Sequence, residues 1–188
     1  MTETEDKIVE AAIRVFVRYG ARKASMADIA SNAGVSRQTL YDLFGAKDEL
    51  IRASIRSVTD QSLARVRERL GRCATLAEKL DAYFDETIVK SFELLETAGD
   101  PEDLISGHNA AGKDEIDRSH QRHEALIAEL LDDYRDPIEA SGQSVADVAH
   151  LIVTVAMGFK TGARSRADLD GLIGSFKIAV LTIVDAKG

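Results

Sequence analysis

The stretch SMADIASNAGVSRQTLYDLF, residues 25–44, decides how this chain is read. Ser25 carries a hydroxyl suited to cap a helix start, and Asp28 three residues on completes a capping-box pattern. Ile29 and Ala30 supply an apolar contact, and the small Ala30 lets a second helix cross close by. Gly34 can take the left-handed backbone that a tight turn needs. Val35 plugs that turn, and Ser36 caps a second helix in which Leu40, Leu43 and Phe44 form the buried face. The other face, Arg37, Gln38, Thr39, Tyr41 and Asp42, is polar and free to enter a major groove. Two short helices crossing at a fixed angle need this order of small, glycine and apolar positions, so the segment reads as a helix-turn-helix.

Working outward, residues 5–19 form an amphipathic helix, with Ile8, Ala12, Val15, Phe16 and Tyr19 on one stripe and Gly20 at its end. A long helix is expected from Lys47 to Leu70, stopped by Gly71. Another spans Leu76 to Thr97, with Leu76, Leu80, Tyr83, Phe84, Ile88 and Leu95 as its apolar stripe. Gly99, Asp100 and Pro101 break the pattern, and residues 99–114, with Gly99, Gly107 and Gly112, read as loop with one helical turn at 102–106. A helix from Asp114 to Tyr134 frays near Pro137 and Gly142. The last two helices, about 145–164 and 168–185, are apolar over too much of their circumference to face one core. They are expected to hold a homodimer together. The fold class is all-α, about nine helices. Residues 1–46 form a helix-turn-helix DNA-binding domain, and residues 47–188 a larger helical effector-binding and dimerisation domain.

Composition agrees. The 188 residues are 45% hydrophobic and 30% charged, with two prolines and no tryptophan. The single cysteine, Cys73, cannot close an intrachain disulfide, and the acidic start MTETEDKIVE is no signal peptide. The most apolar run, Val145 to Phe159, is interrupted by Asp147, His150 and Thr154, short of the roughly 18 apolar residues that span a bilayer. A soluble, cytoplasmic protein without membrane contact is expected. The net charge of −8 argues at first against nucleic acid, but its distribution is uneven. Residues 1–56 hold nine Lys and Arg against eight Asp and Glu, so the negative excess lies in the body.

The run Ser25 to Ser36, followed by Thr39-Leu40-Tyr41, Phe44 and Lys47-Asp48-Glu49-Leu50, resembles the TetR/AcrR family signature almost throughout residues 8–51. Beyond them the chain is similar to that family only in helix number, helix lengths and acidic body. The resemblance implies a DNA-binding set of Ser25, Ser36, Arg37, Gln38, Thr39, Tyr41 and Lys47. Ser25, Tyr41 and Lys47 would meet phosphates, while Arg37, Gln38 and Thr39 would reach base edges. It further implies a palindromic operator in double-stranded DNA and a repressor released by a small-molecule effector. Three positions depart from the family pattern. Gln38 stands where glycine is common, Ala46 replaces the usual Ser or Asn cap, and Asp42 places a carboxylate near the DNA.

Other residues invite sharper readings. Tyr83, Phe84, Phe92, His123 and Phe159 are candidates to line an effector pocket, against a plain-core alternative. His120, His123 and Glu124 share one helix face, with His108 in the loop before them, but a solvated polar face is the simpler reading and no metal is expected. His150 reads as a hydrogen-bonded interface residue and Cys73 as an inert thiol. Asp81, Asp85 and Glu86 make an acidic face, yet no nucleophile, phosphate-loop or metalloprotease motif accompanies them, so neither an enzyme nor a cofactor is expected. The alternative to a regulator is a helical ligand-binding or scaffold protein without DNA function.

Overall fold

The computed structural model describes residues 2–106 and 110–184. The described residues are helical and contain no strand. The helices are α1 (Glu3–Tyr19), α2 (Met26–Ala33), α3 (Arg37–Phe44), α4 (Lys47–Leu70), α5 (Leu76–Phe84), α6 (Lys90–Glu96), α7 (Pro101–Ser106), α8 (Ala110–Leu131), α9 (Arg135–Ala140), α10 (Val145–Gly162) and α11 (Arg166–Val184). A π turn, Asp85–Val89, joins α5 to α6 without a break, and a 3-10 turn, Asp132–Tyr134, joins α8 to α9. Counted as continuous rods, these are nine among the described residues, in line with the all-α expectation.

Local chemistry explains most of the boundaries. Thr2 with Glu5, Ser25 with Asp28, and Thr75 with Glu78 each form a reciprocal capping box, so α1, α2 and α5 begin with their first amides satisfied. Ser144 caps α10 by accepting from the Asp147 amide. Pro101 opens α7, where its missing N–H costs nothing, and the Asp100 carboxylate accepts from the Asp103 amide at 3.2 Å. The helix expected to start at Asp114 starts at Ala110, so residues 110–113, read as loop, are helical; residues 107–109, His108 among them, lie outside the described residues.

The chain divides into two compact units. The first comprises residues 1–61 with 93–119, and the second residues 62–92 with 120–188. This spatial division differs from a cut at residue 46, because the segment after α6 packs against the N-terminal helices. Gly99 donates its amide to the Val17 carbonyl at 3.0 Å, and a Cβ there would lie 2.0 Å from the Arg18 carbonyl oxygen, so only glycine fits. The buried Asp103 carboxylate accepts from the Arg22 amide at 2.9 Å and from its guanidinium at 3.2 Å, and Lys23 pairs with Asp100 at 3.5 Å. Further along, Glu115 accepts from Arg56 and Arg118, both at 3.0 Å, and Thr59 shares a 2.8 Å hydrogen bond with Ser119.

The core of the first unit gathers Ile8, Val15, Phe16, Ile29, Leu40 and Leu50. Tyr19, expected on the α1 stripe, is exposed instead and carries the Arg18 guanidinium over its ring at 5.1 Å. The second core is built from Tyr83, Phe84, Ile88, Ile127, Leu131, Ile138 and Ile152 with their neighbours on α10 and α11. Helix α10 is long and apolar enough, by length and composition alone, to cross a membrane. Its Val145, Val148, Ala149, Ile152, Val153 and Ala156 are buried, which is 33% of its length.

Candidate functional site

In the first unit, α2 and α3 are joined by a turn whose Gly34 sits at φ 69°, ψ 29°, the left-handed conformation its sequence position predicts. Its amide donates to the Ala30 and Ser31 carbonyls, and Val35 follows half-buried against the core. Ser36 accepts from the Thr39 amide at 3.0 Å and its hydroxyl lies 2.8 Å from the Thr39 hydroxyl, which fixes the start of α3. Leu40 is fully buried, whereas Leu43, expected on the same face, is 40% exposed. Helical geometry gives the reason: at about 100° per residue, position 44 returns closer to the direction of position 40 than position 43 does. Phe44 packs on the core in its place.

The outer face of α3 is open. Arg37, Gln38, Tyr41 and Asp42 are exposed, Tyr41 at 48%, and Thr39 is half-buried. Gln38 donates to the Asp42 carboxylate at 2.6 Å, one helical turn away. That bond holds both side chains on the surface and gives Asp42 a neutral partner within α3. Ser25 donates to the Asp28 carboxylate at 2.5 Å while capping α2.

Lys47 behaves differently from a free phosphate ligand. Its ammonium donates to the carbonyls of Ala21, Arg22 and Ala24 at 3.0, 3.2 and 3.2 Å, so all three protons hold the α1–α2 turn. Ala46 offers no side-chain cap to α4, and Asp48 and Glu49 in the first turn meet the helix dipole instead.

In the second unit, four of the five aromatic candidates belong to one chain of ring contacts. Tyr83 meets Phe84 and His123 edge-on, each at 5.7 Å, Phe84 meets Phe176 at 6.3 Å, and Phe176 meets Phe159 at 5.7 Å. Phe92 is buried in the same core without one of these ring contacts. The Tyr83 hydroxyl and His123 Nδ1 are buried and make no close hydrogen bond. Burial raises the phenol of Tyr83 well above its ordinary value, a rise that the Thr87 hydroxyl partly offsets. Burial, then the positive charges of Lys160, His120 and Arg122, draw the imidazole of His123 down to about 3. Both groups are therefore neutral at physiological pH.

The remaining polar candidates are engaged with one another. Glu124 bonds His150 Nδ1 at 2.8 Å, and no cluster of three His, Cys, Asp or Glu side chains converges among the described residues. Asp81 pairs with Lys177 at 2.6 Å, Asp85 with Arg69 at 3.0 Å, and the buried Glu86 with Arg65, Arg69 and Lys90. Burial pushes the Glu86 carboxyl up, but the three cations outweigh it and hold it below the usual glutamate range. Cys73 Sγ, half-buried, donates to the Arg69 carbonyl at 3.4 Å.

Comparison with known proteins places this geometry. Residues 8–54 match the family model described as "Bacterial regulatory proteins, tetR family". Residues 8–54 thus carry the tetR-family helix-turn-helix pattern. An HTH-type transcriptional regulator of Bacillus subtilis, YezE, is 33% identical over 81 residues, which are 43% of this chain and 42% of that protein. The chain spans about two-fifths of the length of the curated relatives it matches. Solved structures extend the likeness in fold. A transcriptional regulator from Rhodococcus sp. superposes over the whole of both chains with a TM-score of 0.74 at 19% identity. FadR from Bacillus subtilis, solved in complex with stearoyl-CoA, does so over 98% of this chain and 100% of its own with a TM-score of 0.71 at 18% identity.

The TetR-family match ends at residue 54, so the interior of the second unit has to be read from its own residues. Two of them carried a signal that the sequence reading passed over. Phe176 was placed only on an apolar stripe of the last helix, yet it links Phe84 to Phe159. Lys160 follows directly on the most apolar run of the chain, where a cation is out of place.

Proposed function

We propose that this chain is a TetR-family DNA-binding transcription regulator, a repressor released from a palindromic operator by a small-molecule effector. The observation that carries the reading is the outer face of α3. Arg37, Gln38 and Tyr41 stand exposed on a helix fixed from beneath by Leu40 and capped by Ser36, within the segment that matches the family. Arg37, Gln38 and Thr39 read base edges, and Ser25, Ser36 and Tyr41 meet phosphates. Lys47 serves the interface by holding the turn before α2, since its donors are engaged there. The functional boundary between the DNA-binding and effector domains lies near the start of α4.

The protein acts as a soluble, cytoplasmic homodimer paired through α10 and α11, with recognition helices about 35 Å apart in successive major grooves. The relatives' regulatory character and the ion-paired state of the acidic residues favour a binding protein over an enzyme. The effector lies among Tyr83, Phe84, His123 and Phe159, with Phe92 in the surrounding core, and binding there shifts the population of dimers away from the operator-competent one. Selection of genomic DNA fragments with the purified protein tests the reading. A palindromic site is expected from the parent and should be lost with Arg37→Ala. Absence of any enriched sequence at low salt, where all DNA binding is strongest, would leave the scaffold alternative.

A further inference from the structure

Resting on the effector-binding reading, we propose that the second unit takes a small organic carboxylate, its carboxylate met by Lys160, His123 and Tyr83 and its apolar body lying along Phe84, Phe176 and Phe159. Two independent observations lead there. The first is polar: the Tyr83 hydroxyl, on a residue with no exposed surface and with only the Thr87 hydroxyl acting on it through hydrogen bonding, and His123 Nδ1 make no close hydrogen bond. A buried polar atom left unpaired costs about 1–3 kcal/mol, so two in contacting rings mark a place where a partner is missing, an acceptor for the phenol and, in its Nδ1–H tautomer, for the imidazole. The second is a half-buried cation near His123. Among the described residues no hydrogen bond or ion pair reaches Lys160, and burial alone acts on its ammonium, drawing it to about 8. It lies near enough to His123 to depress that ring electrostatically.

Charge and shape narrow the ligand. Lys160 and Arg122 both act on His123 as positive charges, and His123 and Tyr83 are neutral, so the set favours an anion over a neutral or cationic ligand. Glu124, the carboxylate that registers on the Tyr83 phenol, is bonded to His150 and does not neutralise Lys160. A carboxylate accepts several hydrogen bonds at once, which suits an ammonium and two single donors. Phe159, Phe176 and Lys160 are half-buried, while Tyr83 and Phe84 are fully buried, so the ring chain runs from the flank of α10 and α11 into the core.

Calorimetric titration of the full chain with matched probes tests this. Octanoate and 3-phenylpropionate are compared with octanamide, 3-phenylpropionamide, octyl phosphate and octylammonium. At least one acid is expected to bind, and its own amide at least about tenfold more weakly, the loss of one charge-assisted hydrogen bond. Lys160→Met should abolish the preference for acid over amide, and Tyr83→Phe should weaken the acid while leaving the fold intact. Lys160→Met should also raise the melting temperature of the ligand-free protein, because it removes a desolvated charge that no partner compensates. The proposal is overturned if amides match acids, if Lys160→Met keeps the preference, or if neither acid binds at 1 mM, about the weakest affinity worth the name. Operator binding, measured separately, tests the underlying reading. A chain that binds its operator and is released by octylammonium or an amide, but by no acid, remains an effector-responsive regulator and refutes the carboxylate.

Discussion

Lys47 stands at the first position of α4 with its ammonium on three carbonyls contributed by residues more than twenty positions earlier. A family signature read along the chain assigns it to phosphate, and residue type alone cannot tell the two roles apart, because an ammonium satisfies either acceptor. The roles separate in the DNA-free protein. Lys47→Met should lower unfolding stability by about 1 kcal/mol in urea titration, the cost of losing hydrogen bonds to partly buried carbonyls. Hydrogen exchange should show the loss concentrated in residues 20–25. A lysine serving only phosphate would leave both measurements unchanged. Gln38 and Asp42 make the opposite point: both were marked as unusual for the family, and they are explained by each other.

At the scale of elements, α5, the π turn and α6 read as one regular helix in the sequence, and the apolar stripe from Leu76 to Ile88 is where periodicity puts it. The wide turn itself left no such signal. It buries Glu86, Thr87, Ile88 and Val89 in succession, more than one face of a helix holds, and it places Glu86 among Arg65, Arg69 and Lys90. Because Glu86 is held below the ordinary glutamate range, its contribution to stability is complete above that range and is lost as pH falls through the lowered value. Glu86→Gln should therefore unfold more easily at neutral pH and lose less further stability than the parent below about pH 4.5. Thermal unfolding across that pH range reads the difference. Helices α1, α2 and α3 were legible because their signals are local: a capping residue, a glycine, an apolar stripe. The early start of α8 was not, because Gly112 reads as a breaker even though Ala110, Ala111 and Lys113 are good helix formers.

At the scale of the molecule, the all-α class and the helix count followed from composition and periodicity, whereas the line between units did not. Contacts such as Arg22 with Asp103 join residues 81 positions apart, and no window along the sequence reports them. The final helices were legible as two-sided, and the structure leaves Leu151 on α10 and Ile178 on α11 exposed, Ile178 at 67%. If a second copy covers them, Leu151→Glu combined with Ile178→Glu should give a monomer by analytical ultracentrifugation. Operator affinity should fall by about a hundredfold or more, because two linked heads bind far better than one.

The contact of Gly99 and Asp103 with the end of α1 bears on how such a protein can be recombined. A head exchanged between family members at the start of α4 would carry α1 to α3 away from the backbone that Gly99 fits and from the carboxylate that accepts the Arg22 amide. The graft would lose the Arg22 guanidinium from the buried Asp103 carboxylate and would have to repeat the backbone course against which Gly99 fits. The first unit is thus a discontinuous piece of sequence, and a transplant of its specificity has to take residues 99–103 along with the first 61.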